Sequence, residues 1–385
     1  MRKLLSIIIL SLTCSLAFAG ESVNLFRNGD GGYNRFRIPA IIQAANGDVL
    51  AFAEARTSGD TGHIEMVMRR STDGGKTWSP LQVIWKDGEN TCGNPAPVLD
   101  ERTGRLVMVT TWNDGRDPEW HIRTLTSHNT RRVFCFWSDD NGYNWTDARE
   151  ITSSVKNPEW TWYATGPCHG IQIKKGAHKG RLVIPCNHAL PPVEVDGRTV
   201  SQTVSHVIYS DDGGETWVLG GTPSVGNEST VAELPNGDLM LNMRVDGVDK
   251  EGWSKNANGR EVAISHDCGV SFDEAYFDKA LTEPICQGTI LNYTRKGKLT
   301  RRLLFCNPSS TKRNNMWLKL SKDAGRTWAP VFHVAEGPSA YSDIMVFPNG
   351  DVGILYETGE KGASDRIDFI RVEKKVVLSA NLSDK

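Results

Sequence analysis

Six stretches of the chain share one pattern, a glycine turn followed by a strand-like apolar run. The glycines are Gly47, Gly104, Gly180, Gly237, Gly297 and Gly350, and the runs include NGDVLAFAEAR and NGDVGILYE. Short apolar runs bounded by turn residues predict β-strands, and a glycine between two such runs predicts a tight hairpin. No helical period lies between the hairpins. The pattern predicts an all-β protein built from six hairpin units.

A second repeat, S-x-D-x-G-x-(T/S/N)-(W/F), occurs five times and is independent of the first. Its copies begin at Ser71, Ser138, Ser210, Ser265 and Ser321. In such a turn the Asp side chain bonds nearby backbone N–H groups, and the closing aromatic residue packs between strands. A calcium loop is the alternative, but it needs more acidic ligands than the one or two of each copy. We call these segments the Asp-boxes and interpret them as structural turns.

The spacing of both repeats gives the same number of units. The Asp-boxes recur every ~62 residues on average, and dividing residues 20–385 into six gives about 61 residues a unit. Short β-rich units of this length predict a six-bladed β-propeller, in which four-stranded blades surround an axis. An array of β-sandwiches is the alternative, but it requires linkers that the sequence does not show. The sixth unit has no Asp-box, as expected if a terminal strand completes its blade.

The only long apolar run lies at the N-terminus, where Arg2 and Lys3 precede Leu4 and a small-x-small site ends at Ala19. This layout predicts a secretory signal peptide over residues 1–19 and one domain over residues 20–385. An uncleaved anchor is the alternative, but the run is short for a bilayer. We therefore expect a secreted, periplasmic or cell-surface protein without a membrane-spanning segment after cleavage.

Composition narrows the choice of partners and cofactors. The 385 residues are 39% apolar and 23% charged, which suits a globular protein. Residues 1–19 hold two basic residues and no acid, so the remainder has 42 basic against 46 acidic residues, a balance that argues against a nucleic-acid partner. Its seven cysteines lack C-x-x-C spacing, and the odd number argues against a disulfide scaffold. His63, His169, His188 and His206 show no metal-ligand spacing, so we expect neither a metal nor a cofactor.

Three hairpins carry charged or phenolic residues at the end opposite the turn. Residues equally far from a tight turn face each other, so counting from each glycine predicts which residues form facing pairs. The facing pairs predicted in this way are Arg37 with Arg56, Glu228 with Arg244, and Tyr341 with Glu357. In a propeller these ends can converge at one mouth of the axis and form a concave site. Arg313 reaches the same rim if it leads into the next strand.

Each of these residues also has a plain structural interpretation. Arg and Glu in strands are mostly exposed, and a strand tyrosine often packs in a core. Arg37 is less easily explained, because it lies among apolar neighbours in FRIP, where a guanidinium needs a partner such as Glu357. Asp60 lies in a glycine-rich polar loop that is typical of ordinary turns. The aromatic residues Trp112, Trp160, Trp162 and Tyr163 either line a sugar subsite or pack in the protein.

The candidate set has a specific chemistry if its members meet. Three arginines at one point bind a carboxylate, because guanidinium groups donate paired hydrogen bonds to its oxygens. A tyrosine beside a glutamate gains a base that takes its proton, which makes the phenol a nucleophile. Among carbohydrates, sialic acid carries its carboxylate directly on the anomeric carbon. That carboxylate would repel a carboxylate nucleophile, whereas a tyrosine nucleophile avoids the repulsion.

At these residues the sequence resembles the exo-sialidases (neuraminidases) of bacteria and animals, over essentially the whole chain after residue 19. The resemblance includes FRIP at Phe36, the Asp-boxes, ESTVAEL from Glu228, LNMR ending at Arg244, Arg313, SAYSD around Tyr341, and LYE ending at Glu357. It implies a catalytic six-bladed propeller that acts on sialylated glycans, with Tyr341 as nucleophile and Glu228 as its base, a pairing known for sialidases. It further implies that Arg37, Arg244 and Arg313 bind the carboxylate, that Asp60 is the acid/base catalyst, that Arg56 lies near the 4-hydroxyl and that Glu357 orients Arg37.

The mechanism implied by this resemblance is retaining hydrolysis. Asp60 must be protonated in the first step and ionised in the second, so we expect partial burial to raise its pKa and activity to fall toward alkaline pH. A trans-sialidase differs only in the acceptor that resolves the intermediate, and a sialic-acid-binding propeller without turnover would use the arginines alone. Both remain alternatives.

Overall fold

The structure is a computed structural model that describes residues 20–245 and 258–379. The predicted signal peptide lies outside these residues. The first fourteen strands, in chain order, are Val23–Arg27 (β1), Arg35–Gln43 (β2), Val49–Arg56 (β3), Ile64–Ser71 (β4), Gln82–Trp85 (β5), Thr91–Asp100 (β6), Arg105–Asn113 (β7), Arg132–Ser138 (β8), Arg149–Glu150 (β9), Tyr163–Thr165 (β10), Ile171–Gln172 (β11), Leu182–Ala189 (β12), Val193–Val195 (β13) and Arg198–Val200 (β14).

Twelve further strands follow within the described residues. They are Thr203–Ser210 (β15), Val218–Leu219 (β16), Ser229–Glu233 (β17), Leu239–Arg244 (β18), Arg260–Ser265 (β19), Tyr276–Asp278 (β20), Thr289–Asn292 (β21), Leu303–Pro308 (β22), Asn314–Ser321 (β23), Ala329–Val346 (β24), Val352–Thr358 (β25) and Arg366–Val372 (β26). Helices are short: Glu119–Arg123 (α1), Thr152–Val155 (α2), Lys374–Val377 (α3) and one 3₁₀ turn, Asp30–Gly32. The fold is therefore all-β, as the sequence predicts.

The strands pair almost entirely with sequence neighbours. One sheet runs β2-β3-β4-β6-β7-β8-β9 with β5 beside β4, and a second runs β10-β12-β15-β16 with β11 beside β12. A third runs β17-β18-β19-β20, and the fourth runs β1-β26-β25-β24-β23-β22-β21. Hairpin β13-β14 stands apart as a two-stranded sheet. In the fourth sheet β24 pairs with β23 through its first part and β25 through its last, while β1 pairs with β26.

The hairpin glycines lie where the sequence predicts turns. All six have positive φ, from 72° at Gly297 to 100° at Gly180, which glycine adopts at little cost. The facing pair predicted around Gly47 is wrong by two residues, because Arg37 faces Glu54 whereas Arg56 faces Arg35. The cause is a bulge between Arg37 and Ala40, where Ile38 has a φ of 60°.

The five Asp-boxes have one hydrogen-bonding pattern. In the third box the Ser210 hydroxyl donates to Asp212 (2.8 Å) and accepts from the Gly214 N–H (2.8 Å), while Asp212 also accepts from Thr216. Trp217 closes the turn by donating its indole N–H to the Gly214 carbonyl (3.2 Å). The boxes that begin at Ser71, Ser138, Ser265 and Ser321 repeat the serine and aspartate bonds. The Asp-boxes are therefore structural turns.

Apolar cores fill the spaces between successive sheets. One cluster packs Phe36, Phe26 and Phe369 together, where the first strands of the chain meet its last. A second surrounds Tyr163 and Trp217. Each described cysteine is buried and free, so no disulfide joins these sheets within the described residues.

A buried carboxylate links three of the sheets. Asp343 of β24 is fully buried and accepts backbone N–H bonds from Ile41 of β2 (2.8 Å) and Ile344 (2.9 Å). It also accepts from the backbone N–H of His169 (3.1 Å) and lies 2.7 Å from the Nδ1 of that ring. His169 precedes β11, so the contact joins strands that are far apart in sequence. Across residues 20–245 and 258–379, no helix is both long and apolar enough to span a membrane.

Candidate active site

A cavity of about 360 Å³ opens at the strand ends opposite the hairpin turns. Seven of the eight candidate residues line it: Arg37, Arg56, Asp60, Glu228, Arg244, Arg313 and Tyr341. The eighth, Glu357, is fully buried behind Arg37. Strand ends from three sheets supply these side chains, so the fold brings together residues up to 304 positions apart, from Arg37 to Tyr341. The structure thus assembles the whole candidate set, while the role of each member stays a prediction.

Tyr341 and Glu228 form the centre of the cavity. The phenolic O–H of Tyr341 donates to Glu228 Oε1 at 2.6 Å, and Arg244 donates to Glu228 Oε2 at 2.7 Å. Burial raises the pKa of Tyr341 well above its usual value, and the Glu228 charge raises it further, against the lowering by Arg244 and Arg37. The phenol is therefore neutral at physiological pH, and Glu228 is placed to accept its proton during attack.

Three guanidinium groups surround the Tyr341 ring. The Cζ atoms of Arg37 and Arg313 lie 4.8 Å and 5.6 Å from the ring centroid, and Arg244 Nη1 lies 3.3 Å from the phenolic oxygen. Arg313 comes directly before β23 and donates to the Ile285 carbonyl at 3.1 Å. This concentration of positive charge suits a bound carboxylate.

Arg37 is held from behind by Glu357. The carboxylate accepts from Arg37 Nε (2.7 Å), from the Ile38 N–H (2.9 Å) and from the Tyr341 N–H (3.2 Å). Burial lowers the pKa of Arg37, but the charge of Glu357 and its hydrogen bond to Arg37 outweigh burial and raise the pKa overall. One buried carboxylate thus fixes both an arginine and the backbone of the candidate nucleophile.

Asp60 lies at the open edge of the cavity, and the expectation of a raised pKa is wrong in this state. Its side chain is 83% exposed, pairs with Arg56 and lies 3.9 Å from Arg37. Partial desolvation at the cavity edge raises the pKa of Asp60, but the charges of Arg56 and Arg37 outweigh this effect and hold the pKa below its usual value. In the unliganded protein the Asp60 carboxyl group is therefore ionised near neutral pH.

Glu54 is a site residue that the sequence analysis missed. It is buried, accepts from Arg56 Nε at 2.8 Å and accepts from the Asn94 N–H at 2.7 Å. A Cβ at Gly93 would collide with its carboxylate, so a larger residue there would displace Glu54. Its place in the run AFAEAR shows an acid in an apolar strand, the same signal that marked Arg37.

A second missed group forms one wall of the cavity. Arg131 is buried and donates to Asn94 Oδ1 (2.5 Å), Thr111 Oγ1 (2.7 Å) and the Tyr163 carbonyl (3.2 Å). Its Cζ lies 4.2 Å from the ring centroid of Trp162, which also lines the cavity. Burial lowers the pKa of Arg131 to about 10. Trp162 is therefore the aromatic candidate that reaches the site.

The other aromatic candidates pack within the protein, as do His188 and His206, whereas His63 is partly exposed and lies 3.0 Å from Glu65. Tyr163 and Trp112 are buried, and Trp160 stacks on His188 with ring centroids 3.4 Å apart. His188 and His206 are buried with their Nδ1 atoms 3.0 Å apart. In the described part of the chain, no three His, Cys, Asp or Glu side chains are grouped to hold a metal ion.

A fully buried arginine supports the segment below Tyr341. Arg260 donates to the Cys286 carbonyl (2.8 Å) and to Asn242 Oδ1 (2.7 Å). The Cys286 side chain packs in one apolar cluster with Tyr341, and the preceding carbonyl, of Ile285, binds Arg313. The spacing of the sequence does not predict this support, because the segments that carry Arg260, Asn242 and Cys286 come together only in the folded protein.

Comparisons with known proteins agree with this geometry. Residues 47–354 match the family model of the BNR repeat-like domain. An exo-alpha-sialidase of Arthroderma benhamiae is 30% identical over 312 residues, which cover 76% of this chain and 68% of that protein. The chain belongs to the sialidase family. The sialidase of Bacteroides fragilis (strain YCH46) is 31% identical, and the match covers 86% of this chain.

The family membership extends to three-dimensional structure. The solved structure of the Hadza microbial sialidase Hz136 superposes with a TM-score of 0.78 at 27% identity, covering 93% of this chain and 69% of that one. The chain spans 61% of the length of the Bacteroides sialidase that it matches.

Proposed function

We propose that this sialidase-family chain is an exo-alpha-sialidase that releases terminal sialic acid from glycoproteins, glycolipids and oligosaccharides. The observation that carries the proposal is the 2.6 Å hydrogen bond from Tyr341 to Glu228 inside a ring of three arginines. This arrangement offers a nucleophile, its base and a carboxylate receptor in one cavity. Arg37, Arg244 and Arg313 bind the substrate carboxylate, and Arg56 lies near the 4-hydroxyl.

The reaction takes place in two steps with retention. Tyr341 attacks the anomeric carbon and gives its proton to Glu228, while protonated Asp60 gives its proton to the departing glycosidic oxygen. Ionised Asp60 then takes a proton from water, which attacks the anomeric carbon, and the tyrosine leaves with the proton held by Glu228. Each step moves one proton at each carboxylate, so the enzyme returns to its starting state.

Bound substrate raises the pKa of Asp60, which is low in the free protein. A sialic acid carboxylate bound to Arg37 partly neutralises one of the charges that lower the pKa of Asp60. Its sugar ring also displaces water from the carboxyl group, and desolvation raises a carboxyl pKa. Asp60 therefore gains the proton needed for the first step when substrate binds.

The architecture that presents this site is a six-bladed propeller. The strands group into six successive sets. Five sets have four strands: β2 to β5, β6 to β9, β17 to β20, β21 to β23 with the first part of β24, and the rest of β24 with β25, β26 and β1. The third set has five strands, β10, β11, β12, β15 and β16, and its short strands β10 and β11 both pair with the same edge of β12. The pairing of β1 with β26 completes the sixth set. We include residues 20–385 in this one catalytic domain and propose export by the signal peptide at residues 1–19.

The test is fluorophore release from a 4-methylumbelliferyl sialoside by the wild type, Tyr341→Phe and Asp60→Ala. We expect turnover by the wild type, loss of at least about 10³-fold in Tyr341→Phe, and a milder loss in Asp60→Ala because this leaving group needs little protonation. Binding without turnover by the wild type would favour a lectin instead. Transfer to added lactose in preference to water would favour a trans-sialidase.

A further inference from the structure

Two basic segments face each other across a cavity of about 760 Å³ on the side of the molecule opposite the candidate active site. One segment, residues 173–181 (IKKGAHKGR), is the turn between β11 and β12, and the other, residues 293–302 (YTRKGKLTRR), connects β21 with β22. We call this cavity the basic groove. In β12, Leu182 adjoins the groove turn and Asn187 lines the active site, which places the two sites on opposite faces, about 17 Å apart along the strand.

The charge of the groove lining is strongly positive. It contains Arg102, Lys174, Lys175, Lys179 and Lys298 and one carboxylate, Glu101, for a formal charge of +4. Glu101 pairs with Lys174, and Asp100 pairs with Arg102. Three groove lysines, Lys175, Lys179 and Lys298, form no ion pair within 4.0 Å among residues 20–245 and 258–379. The groove is basic although the whole chain has a net charge of −2.

Two further cations lie on the hairpin that carries Lys298. Arg295 and Lys296 are exposed and have no ion-pair partner among the described residues. Cations within one Debye length, about 10 Å at 0.1 M salt, repel each other and destabilise the folded state. A bound polyanion would remove this repulsion.

We propose that the basic groove binds a sulfated linear polysaccharide. No aromatic side chain lines the groove, whereas single-stranded nucleic acids are bound on stacked aromatic residues. The surface is concave, and its large apolar lining residues are the buried Ile173 and a single partly exposed leucine, Leu299, whereas a membrane interface is bound by a broad apolar face. Lysine ammonium groups on flexible stems suit sulfate esters spaced along a chain. Binding at this face leaves the sialoside cavity open. The groove would therefore hold the protein on sulfated glycans while the cavity hydrolyses sialylated ones.

The experiment measures binding of a heparin dodecasaccharide by calorimetry from 0.05 to 0.3 M NaCl. The test variant is the triple change Lys175→Glu, Lys179→Glu, Lys298→Glu, and the same residues changed to Gln test charge removal without reversal. The matched control, Lys76→Glu, Lys86→Glu, Lys279→Glu, has the same net charge at exposed positions outside the groove. Hydrolysis of the fluorogenic sialoside is measured on every variant.

We expect the wild type to bind heparin with an affinity that falls as salt rises, and the groove Glu variant to bind about tenfold or more weakly. The Gln variant should lie between them, and the control should stay within about twofold of the wild type. No binding by the wild type, or equal losses in groove and control variants, would overturn the proposal. Tighter binding of oligodeoxythymidylate or phosphatidylserine vesicles than of heparin would also overturn it. Because binding is measured without turnover, an inactive wild type refutes only the proposed function.

Discussion

At the scale of single residues, two arginines of the site, Arg37 and Arg56, are held by buried carboxylates that also bind backbone. Glu357 joins Arg37 to the N–H of Tyr341, and Glu54 joins Arg56 to the N–H of Asn94. Each carboxylate therefore links strands of different hairpins at the cavity. A change at either one alters the direction in which an arginine points as well as its charge.

The substitution Glu54→Gln tests this link. Glutamine keeps the shape but removes the charge that holds Arg56, so we expect KM for sialosides to rise several-fold with a smaller change in kcat. The free energy of unfolding should fall by about 1–3 kcal/mol, because a buried guanidinium loses a charged partner. Steady-state kinetics and urea unfolding measure the two effects. An unchanged KM would show that Glu54 does not position Arg56.

The lowered pKa of Asp60 predicts two different pH profiles. kcat/KM reports the free protein, where the Asp60 pKa is low, and kcat reports the complex, where the substrate raises it. Both quantities need protonated Asp60 and fall as pH rises, so we expect the falling limb of kcat/KM at lower pH than that of kcat. Hydrolysis of 3′-sialyllactose, whose leaving group needs an acid, measures both limbs. Asp60→Ala should lack them, and coincident limbs in the wild type would contradict the proposal.

The sequence revealed part of the site and not its electrostatics. Arg37 and Glu357 could be paired because an arginine in an apolar strand needs a partner. The pKa of Asp60 could not be predicted, since it depends on the distances to Arg56 and Arg37 rather than on its own loop. Glu54 carried the same signal as Arg37, but it was overlooked because one acid in a strand is usually exposed.

At the scale of secondary-structure elements, the Asp-box serine is a buried bridge between the two ends of its turn. Ser210→Ala leaves the Gly214 N–H without an acceptor, so we expect the free energy of unfolding to fall by about 1–3 kcal/mol. Ser224→Ala, at an exposed loop position, is the matched control and should change stability by less than about 0.5 kcal/mol. Urea unfolding measures both, and equal effects would argue against the bridge.

The hairpins could be predicted because glycine at positive φ is a local requirement that a sequence displays. The bulge after Arg37 could not, because Ile38 adopts a φ that a β-branched residue rarely takes. Tertiary contacts hold that residue, including the bond from its N–H to Glu357. The facing pairs at Gly47 were therefore misplaced, although the arginines still reach the cavity.

At the scale of the whole molecule, two buried histidines make stability depend on pH. Burial, assisted by the charge of Lys156, lowers the pKa of His188 to about 3, and burial also lowers the pKa of His206. The unfolded chain therefore binds more protons between about pH 3 and 6.5, so stability falls with acidification through that window. Each histidine contributes up to about 1.4 kcal/mol per pH unit.

The double change His188→Gln, His206→Gln removes both side chains that take up protons when the protein unfolds in this pH range. We expect its unfolding free energy, measured in urea from pH 7 to pH 4, to decline less steeply than that of the wild type, whatever its value at pH 7. Equal slopes would mean that the pair stays neutral in the unfolded chain as well, or is already charged in the folded protein.

The Asp343 carboxylate has a consequence for the way the protein opens. Because its donors come from β2, β24 and the segment before β11, loosening any one of these segments leaves a buried charge short of a hydrogen bond. Partial opening at this contact is therefore costly, and the amide protons of Ile41 and His169 should exchange with deuterium only when the entire domain unfolds. The three sheets would then behave as one cooperative foldon, with their slowest-exchanging protons around this shared carboxylate.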